Sequence, residues 1–179
     1  MVVVVINGFF GNRKKHLDVS DIFDQEVQKI PNAENITVIK ARGGSGIGKL
    51  NRIFRRLKEY SKQDRVLLLI GKSYGAHWCV RLLWKLANCE RLSDFRAVAM
   101  VTVDPAFTLS KMQKKTKPIP KINYAKNFHQ YGYRSGYLLG PPAENTALKG
   151  KHSTLETRHE VRKAISDLLL WGHAKRKKR

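Results

Sequence analysis

A serine in a short glycine-flanked motif is the first residue of this sequence that could do chemistry. Ser73 lies in Gly71–Gly75, which reads G-K-S-Y-G and follows the most apolar run of the chain directly. A G-x-S-x-G motif between a strand and a helix strains the serine backbone and exposes its hydroxyl at the strand end. We therefore predict that Ser73 is a nucleophile for acyl transfer. The alternative is a Gly-Ser turn that only begins a helix.

A serine nucleophile needs a general base, and the base needs an acid to orient it. Asp104 ends the apolar run 97–103 and is followed by Pro105. In a parallel sheet it would lie at the same edge as Ser73, because both residues follow strands. We predict Asp104 as the acid of a triad. Its alternative role is an Asp-Pro strand terminator, and Glu144 is another carboxylate that could take its place.

Six histidines compete for the role of base. His152 follows a long loop and precedes the last predicted helix, where Ser153 and Glu156 form a capping-box pattern that predicts a helix start at Ser153. The order Ser73, Asp104, His152 is the one found where a G-x-S-x-G serine opens a helix. We therefore predict His152 as the base, with a solvated loop histidine as the alternative and His129 as the next candidate. The other histidines, on or beside predicted helices, are His16, His77, His159 and His173.

Acyl transfer also needs hydrogen-bond donors for the oxyanion. The backbone N–H of Tyr74, directly after the nucleophile, is one predicted donor. The other is predicted at Phe9, in the glycine-flanked loop Asn7–Gly11 after the first strand. Phe9 and Phe10 could also wall an acyl pocket, or they could pack into the core.

Strand and helix patterns alternate along the chain, and the predicted strands and helices must position these residues. Continuous apolar runs predict buried parallel strands, and apolar stripes at helical spacing predict helices between them. The pattern predicts a single-domain, three-layer α/β sandwich whose mostly parallel sheet has about five strands in the order 2-1-3-4-5. Strands are predicted at 2–6, 36–41, 66–70, 97–103 and 125–133, helices at 16–30, 50–60, 74–86 and 156–171, and loops at 104–123 and 136–151.

Composition limits the class of protein. The 179 residues predict one domain, 1–172, followed by a basic tail, 173–179. Two cysteines exclude a disulfide scaffold and a four-cysteine zinc site, and we expect neither a metal nor a cofactor. The apolar runs are too short for a membrane span or a signal peptide, so we expect a cytoplasmic location.

Three segments resemble the α/β-hydrolase superfamily, and in places its lipase branch. The sequence GKSYGAH is similar to the lipase elbow G-H-S-L-G-A-H, VTVDPAF to the strand that ends in the triad aspartate, and VVVVINGFFG to the strand and loop of the oxyanion hole. The resemblance implies a minimal, cutinase-like serine hydrolase that cleaves small-molecule or lipid esters, or thioesters. Lys72 and Asn7 depart from the family, which has histidine at both positions.

Two other functions remain open at this stage. The segment Gly43–Lys49 has the G-x-x-x-x-G-K spacing of a P-loop nucleotide hydrolase, but Leu50 stands where magnesium binding needs Ser or Thr. The formal charge of +21 favours an anionic partner, either nucleic acid or acidic lipid. The predicted basic patches are Arg13–Lys15, Lys111–Lys121 and Lys175–Arg179.

Overall fold

A parallel sheet of six strands lies between two layers of helices. The computed structural model describes residues 1–8, 17–42, 46–61, 65–105, 116–131 and 138–177. Within these ranges, the strands of the sheet are β1 (Val2–Asn7), β2 (Thr37–Arg42), β3 (Arg65–Lys72), β4 (Phe95–Val103), β6 (Tyr124–Gln130) and β8 (Ala143–Leu148). The helices are α1 (Val19–Val27), α2 (Gly46–Ser61), α3 (Tyr74–Asn88) and α4 (His159–Lys177). The short strands β5 (Thr116–Lys117) and β7 (Leu138–Leu139) pair separately.

The strand order is β2-β1-β3-β4-β6-β8, and every pair is parallel. The predicted α/β class and the order 2-1-3-4-5 are confirmed for the first five strands, with β6 as the fifth. In the register, Lys72 of β3 lies opposite Val103 of β4. The residues that follow these two strands, Ser73 and Asp104, therefore emerge side by side at the carboxyl edge of the sheet.

Alternate residues of the strands enter two separate cores. Val2, Val4 and Ile6 of β1 pack with α2 and α3, whereas Val3 and Val5 pack with α1 and α4. A strand that is apolar at every position is required for this arrangement, because both of its faces are buried. Among the described helices, none is long and apolar enough to cross a lipid bilayer.

A sixth strand, β8, occupies part of the segment 136–151 that we predicted as a loop. The prediction was wrong because only Leu148 of this edge strand is buried, so no apolar pattern marks it. Its pairing with β6 depends on the backbone ladder and on a side-chain contact. Asn127 Nδ2 of β6 donates to Asn145 Oδ1 of β8 at 2.8 Å.

The last helix begins at His159, and the predicted start at Ser153 was wrong. A 3₁₀ turn, Leu155–Thr157, comes first, and Arg158 then adopts an extended conformation with ψ 143°. Glu156 does not complete the predicted capping box, because its side chain is buried in an ion pair with Lys72. At the other end, α4 continues through Lys177, so most of the predicted basic tail is helical.

Candidate active site

The nucleophile elbow is the turn between β3 and α3, with Ser73 at its centre. Ser73 has φ 53° and ψ −122°, a backbone conformation that is costly for any residue with a Cβ. The two glycines of the motif permit the close approach of strand and helix. A Cβ at Gly71 would lie 2.7 Å from the Cα of Ala76, and one at Gly75 would lie 2.0 Å from the carbonyl oxygen of Ile6.

The end of β1 also closes on the elbow. A Cβ at Gly8 would lie 3.1 Å from the Cβ of Ser73 and 3.7 Å from its Oγ. Tyr74 is the first residue of α3, where backbone N–H groups lack partners within the helix. The predicted donor N–H of Tyr74 is therefore beside the nucleophile, whereas Phe9, the other predicted donor, lies outside the described residues.

Asp104 lies beside Ser73 because the two strands are in register. The backbone N–H of Ser73 donates to the carbonyl of Val103 at 2.8 Å, which ties the elbow to the end of β4. The side chain of Asp104 is completely buried, and its φ of 45° turns the chain away from the strand. Its Oδ1 accepts a hydrogen bond of 3.3 Å from the backbone N–H of Gln130.

His152 connects the serine to the aspartate. Its Nε2 lies 2.9 Å from Ser73 Oγ, and its Nδ1 contacts Oδ2 of Asp104. The imidazole side chain is 38% exposed, whereas the carboxylate behind it is fully buried. The structure therefore brings together the three side chains that the sequence singled out. The alternative carboxylate, Glu144, instead faces Lys126 at 3.8 Å.

An ion pair between Lys72 and Glu156 lies directly behind this cluster. Lys72 Nζ donates to Oε1 of Glu156, and the two side chains are only 11% and 2% exposed. Burial raises the pKa of Glu156 above its ordinary value of 4.5, although the Lys72 charge opposes that shift. No local pattern in the sequence predicts this contact, because it joins residues 84 positions apart.

Asn7, the second departure from the family pattern, forms hydrogen bonds with the start of α1. Its Nδ2 donates to Oδ2 of Asp18 at 2.7 Å, and its Oδ1 accepts from the backbone N–H of Ser20 at 3.1 Å. Asp18 is the N-cap residue of α1. The asparagine therefore positions the helix that follows the β1 loop.

His77 is buried one turn into α3 and packs beside aromatic rings. Its ring centroid lies 5.8 Å from that of Tyr74 and 6.0 Å from that of Trp78. Burial, together with the charges of Lys117 and Arg81, lowers the pKa of His77 to about 4. This histidine is therefore neutral at physiological pH, and its contacts are those of a side chain packed in the protein interior.

Within the part of the chain that the structure describes, no group of three His, Cys, Asp or Glu side chains is arranged to hold a metal ion. The P-loop-like segment is only partly described. Residues 43–45 lie outside the described ranges, and Gly46 begins α2.

Comparison with known proteins identifies the architecture. No protein-family model and no curated protein matches the sequence. A protein of Xanthomonas campestris pv. campestris, assigned to the α/β superfamily of hydrolases, is similar with a TM-score of 0.56 and 12% identity, over 95% of this chain and 97% of that chain. RedJ thioesterase, from the prodiginine pathway of Streptomyces coelicolor, has a TM-score of 0.52 and 10% identity, over 94% and 85% of the two chains. The protein therefore has an α/β-hydrolase-like fold.

Proposed function

We propose that this protein is a serine hydrolase that cleaves carboxylic ester or thioester bonds through an acyl-enzyme intermediate. One arrangement carries the proposal. Nε2 of His152 lies 2.9 Å from the hydroxyl of Ser73, while Nδ1 of the same ring contacts the buried carboxylate of Asp104. A serine is a weak nucleophile alone, and a base held in one tautomer by a carboxylate activates it.

In the first half of the reaction, Ser73 Oγ attacks the acyl carbon and forms the new C–O bond. His152 Nε2 takes the hydroxyl proton, and the Asp104 carboxylate stabilises the imidazolium that results. Collapse of the tetrahedral intermediate breaks the bond to the leaving group. The imidazolium gives its proton to the departing alcohol or thiol, and the acyl group remains on Ser73.

In the second half, water replaces the alcohol or thiol. His152 takes a proton from the water as the water attacks the acyl carbon. The imidazolium then returns a proton to Ser73 Oγ while the bond between Oγ and the acyl carbon breaks, which releases the carboxylic acid and free Ser73. The oxyanion of both intermediates would accept hydrogen bonds from the Tyr74 N–H and from a second donor that we place at Phe9. The partial exposure of His152 leaves room for substrate and water at this edge of the sheet.

The substrate we infer is a small-molecule or lipid ester or thioester. The thioester option draws on the fold, which is shared with a thioesterase from a biosynthetic pathway. Thiolates leave more readily than alkoxides, so the same residues can act on both classes. No residue of this mechanism requires a metal or a cofactor.

A fluorophosphonate probe tests the proposal directly. We expect the probe to modify Ser73 covalently, and mass spectrometry of the digested protein to locate the adduct there. A Ser73→Ala variant should not react, while Ser153→Ala, which removes an exposed serine next to His152, should react like the wild type. An unmodified wild-type protein, or an adduct elsewhere, would contradict the proposal.

A second property, binding of nucleic acid, is favoured by the charges on one helical layer. Helix α2 has five basic residues and one acidic residue, and α3 has two basic residues and no acidic one. On the other side of the sheet, α1 has three acidic residues and no basic one, and α4 has five basic and two acidic residues. The formal charge is therefore +6 for the layer of α2 and α3, and zero for the layer of α1 and α4.

The α2 surface fits a nucleic acid better than a lipid surface. A helix that binds lipid inserts its apolar face, but the apolar stripe of α2 is already buried in the core. Its exposed side instead presents arginines, whose planar guanidinium groups suit phosphate. The outward residues of this kind are Arg52, Arg55 and Arg56.

Titration with labelled duplex DNA at several salt concentrations tests this property. We expect affinity to fall steeply with salt, because each phosphate contact releases bound counterions. The variant R52E/R55E/R56E should lose most of the affinity, while R162E/K163E/R176E, with the same change in net charge on α4, should retain it. Equal losses in both variants would assign binding to net charge alone. Tighter binding to anionic vesicles than to DNA would favour the lipid surface instead.

A further inference from the structure

The Lys72–Glu156 ion pair joins the two segments that supply the serine and the histidine. Lys72 is the last residue of β3 and precedes Ser73, and Glu156 follows His152 by four residues. The contact therefore connects the elbow to the 3₁₀ turn, Leu155–Thr157, that follows the histidine. Leu155 also anchors this turn, since its side chain is fully buried in the core beside α4. Apolar packing is not directional, however, so it fixes the orientation of the turn less well than an ion pair does.

The ion pair is poorly suited to a purely stabilising role. Both side chains are withdrawn from water, and Oε2 of Glu156 has no hydrogen-bond partner among the residues that the structure describes. The raised pKa of Glu156 agrees with this, because the charged carboxylate is less favourable in the folded protein than in the unfolded chain. Well-packed apolar residues often stabilise a fold as well as a buried ion pair, or better.

We propose that the Lys72–Glu156 ion pair positions His152 against Ser73, with Glu156 as a positioning residue for the hydrolysis proposed above, on which this inference rests. His152 lies outside any regular helix, just before the 3₁₀ turn, and its own turn is closed by backbone hydrogen bonds such as the one from Thr154 N–H to Lys151 O, 3.0 Å. The ion pair adds a directional contact to the strand that carries the nucleophile. Small displacements of a catalytic group cost large factors in rate, so this contact is expected to affect kcat.

The decisive variant removes the ion pair while keeping side-chain volume. We expect the double variant K72M/E156L to fold with an unfolding temperature no lower than that of the wild type. Its kcat for a short-chain nitrophenyl ester should fall about 100-fold, with little change in KM. Glu156→Gln keeps the shape and an acceptor oxygen for Lys72, so it should retain more of the kcat than the double variant. A folded double variant with full kcat would overturn the proposal.

A matched control separates positioning from general loss of a buried carboxylate. Glu26 is also buried and pairs with Lys29, but it lies in the last turn of α1, whereas it is the start of this helix that Asn7 holds at the carboxyl edge of the sheet. Glu26→Gln should leave kcat unchanged, while Glu156→Gln lowers it. Equal losses in the two variants, or an unchanged kcat in Glu156→Gln, would overturn the positioning role even if the double variant does not fold.

Failure of this inference is distinguishable from failure of the proposed function. If the fluorophosphonate probe does not modify Ser73 in the wild-type protein, the hydrolase proposal is wrong. If the wild type is modified but the rate of modification is the same in K72M/E156L, only the positioning role of the ion pair is wrong.

Discussion

The elbow (residues 71–75) and the histidine turn (residues 151–157) meet at the 2.9 Å contact between His152 Nε2 and Ser73 Oγ, but they are held in different ways. The elbow is fixed by the backbone: Ser73 has positive φ, and Gly75 packs against the carbonyl oxygen of Ile6 with no room for a side chain. The histidine turn is held by side chains, namely the contacts of His152 with Asp104 and of Glu156 with Lys72.

This difference indicates which part of the site tolerates change. A backbone turn is encoded by neighbouring residues, so a single added methyl group can destroy it. A turn held by side-chain contacts can survive the loss of one contact, but with a less well-defined position for the histidine. Substitutions that add a side chain at the elbow glycines should therefore affect folding, and substitutions around the histidine turn should affect mainly the rate.

The largest expected effect belongs to the contact that the two regions share. Ser73→Ala and His152→Ala should each lower ester turnover on the order of 10⁴-fold, and the double variant should be no slower than either single variant. The reason is that base and nucleophile act as one unit. Steady-state kinetics on a nitrophenyl ester gives the rates, and unchanged thermal unfolding is the control. Multiplicative losses in the double variant would show that the two residues act independently.

Two glycine substitutions separate backbone constraint from helix propensity. Gly75→Ala would place a Cβ 2.0 Å from the Ile6 carbonyl oxygen, so we expect a loss of more than about 3 kcal/mol in the free energy of unfolding. Gly48→Ala has open space around its Cβ within α2, and it should gain up to about 1 kcal/mol. Denaturation in urea measures both. A tolerated Gly75→Ala would mean that the elbow can relax.

The pH dependence of the free energy of unfolding tests the burial of His77, which lies on α3 next to the elbow. The unfolded chain protonates this histidine near pH 6.5, but the folded protein keeps it neutral until about pH 4. Protons therefore favour the unfolded state as the pH falls through this window. The free energy of unfolding should drop by about 3 kcal/mol by pH 4 from this group alone. His77→Gln, compared by urea denaturation at pH 7, 5.5 and 4, should lack that part of the decline; identical curves would contradict the burial argument.

The histidine turn should show a smaller dependence of opposite sign. Burial raises the pKa of Glu156, so the folded protein favours the protonated carboxyl more than the unfolded chain does. This contribution to stability is present below pH 4.5 and is lost as the pH rises through the folded value. The stability of Glu156→Gln relative to the wild type should therefore increase between pH 4.5 and pH 7. A difference that stays constant over this range would show that Lys72 fully offsets the burial of the carboxylate.

Local sequence was sufficient to predict much of the fold and the positions of the candidate site. The most apolar run and the G-x-S-x-G motif located β3, the elbow and α3 because strand, turn and helix are adjacent in sequence. Asp104 could be found because parallel strands end at one edge of the sheet. The roles of Ser73, Asp104 and His152 in catalysis stay predictions, as does the donor at Phe9.

The errors fall where the structure depends on long-range contacts. The edge strand β8 has little buried surface, so its sequence has no strand pattern. Ser153 and Glu156 have the spacing of a capping box, but Lys72, distant in sequence, takes the carboxylate instead. A pattern of neighbouring residues cannot reveal a partner on another strand.

The order of the elements along the chain has a consequence for synthesis on the ribosome. Ser73 and Asp104 emerge with β3 and β4, whereas His152 emerges much later and is followed by α4, which packs against those same strands. On the proposed mechanism, a nascent chain would carry its nucleophile without its base until the segment that contains His152 has been synthesised. Hydrolysis would then begin only after the last helix docks, so the growing polypeptide would be inert toward the esters around it.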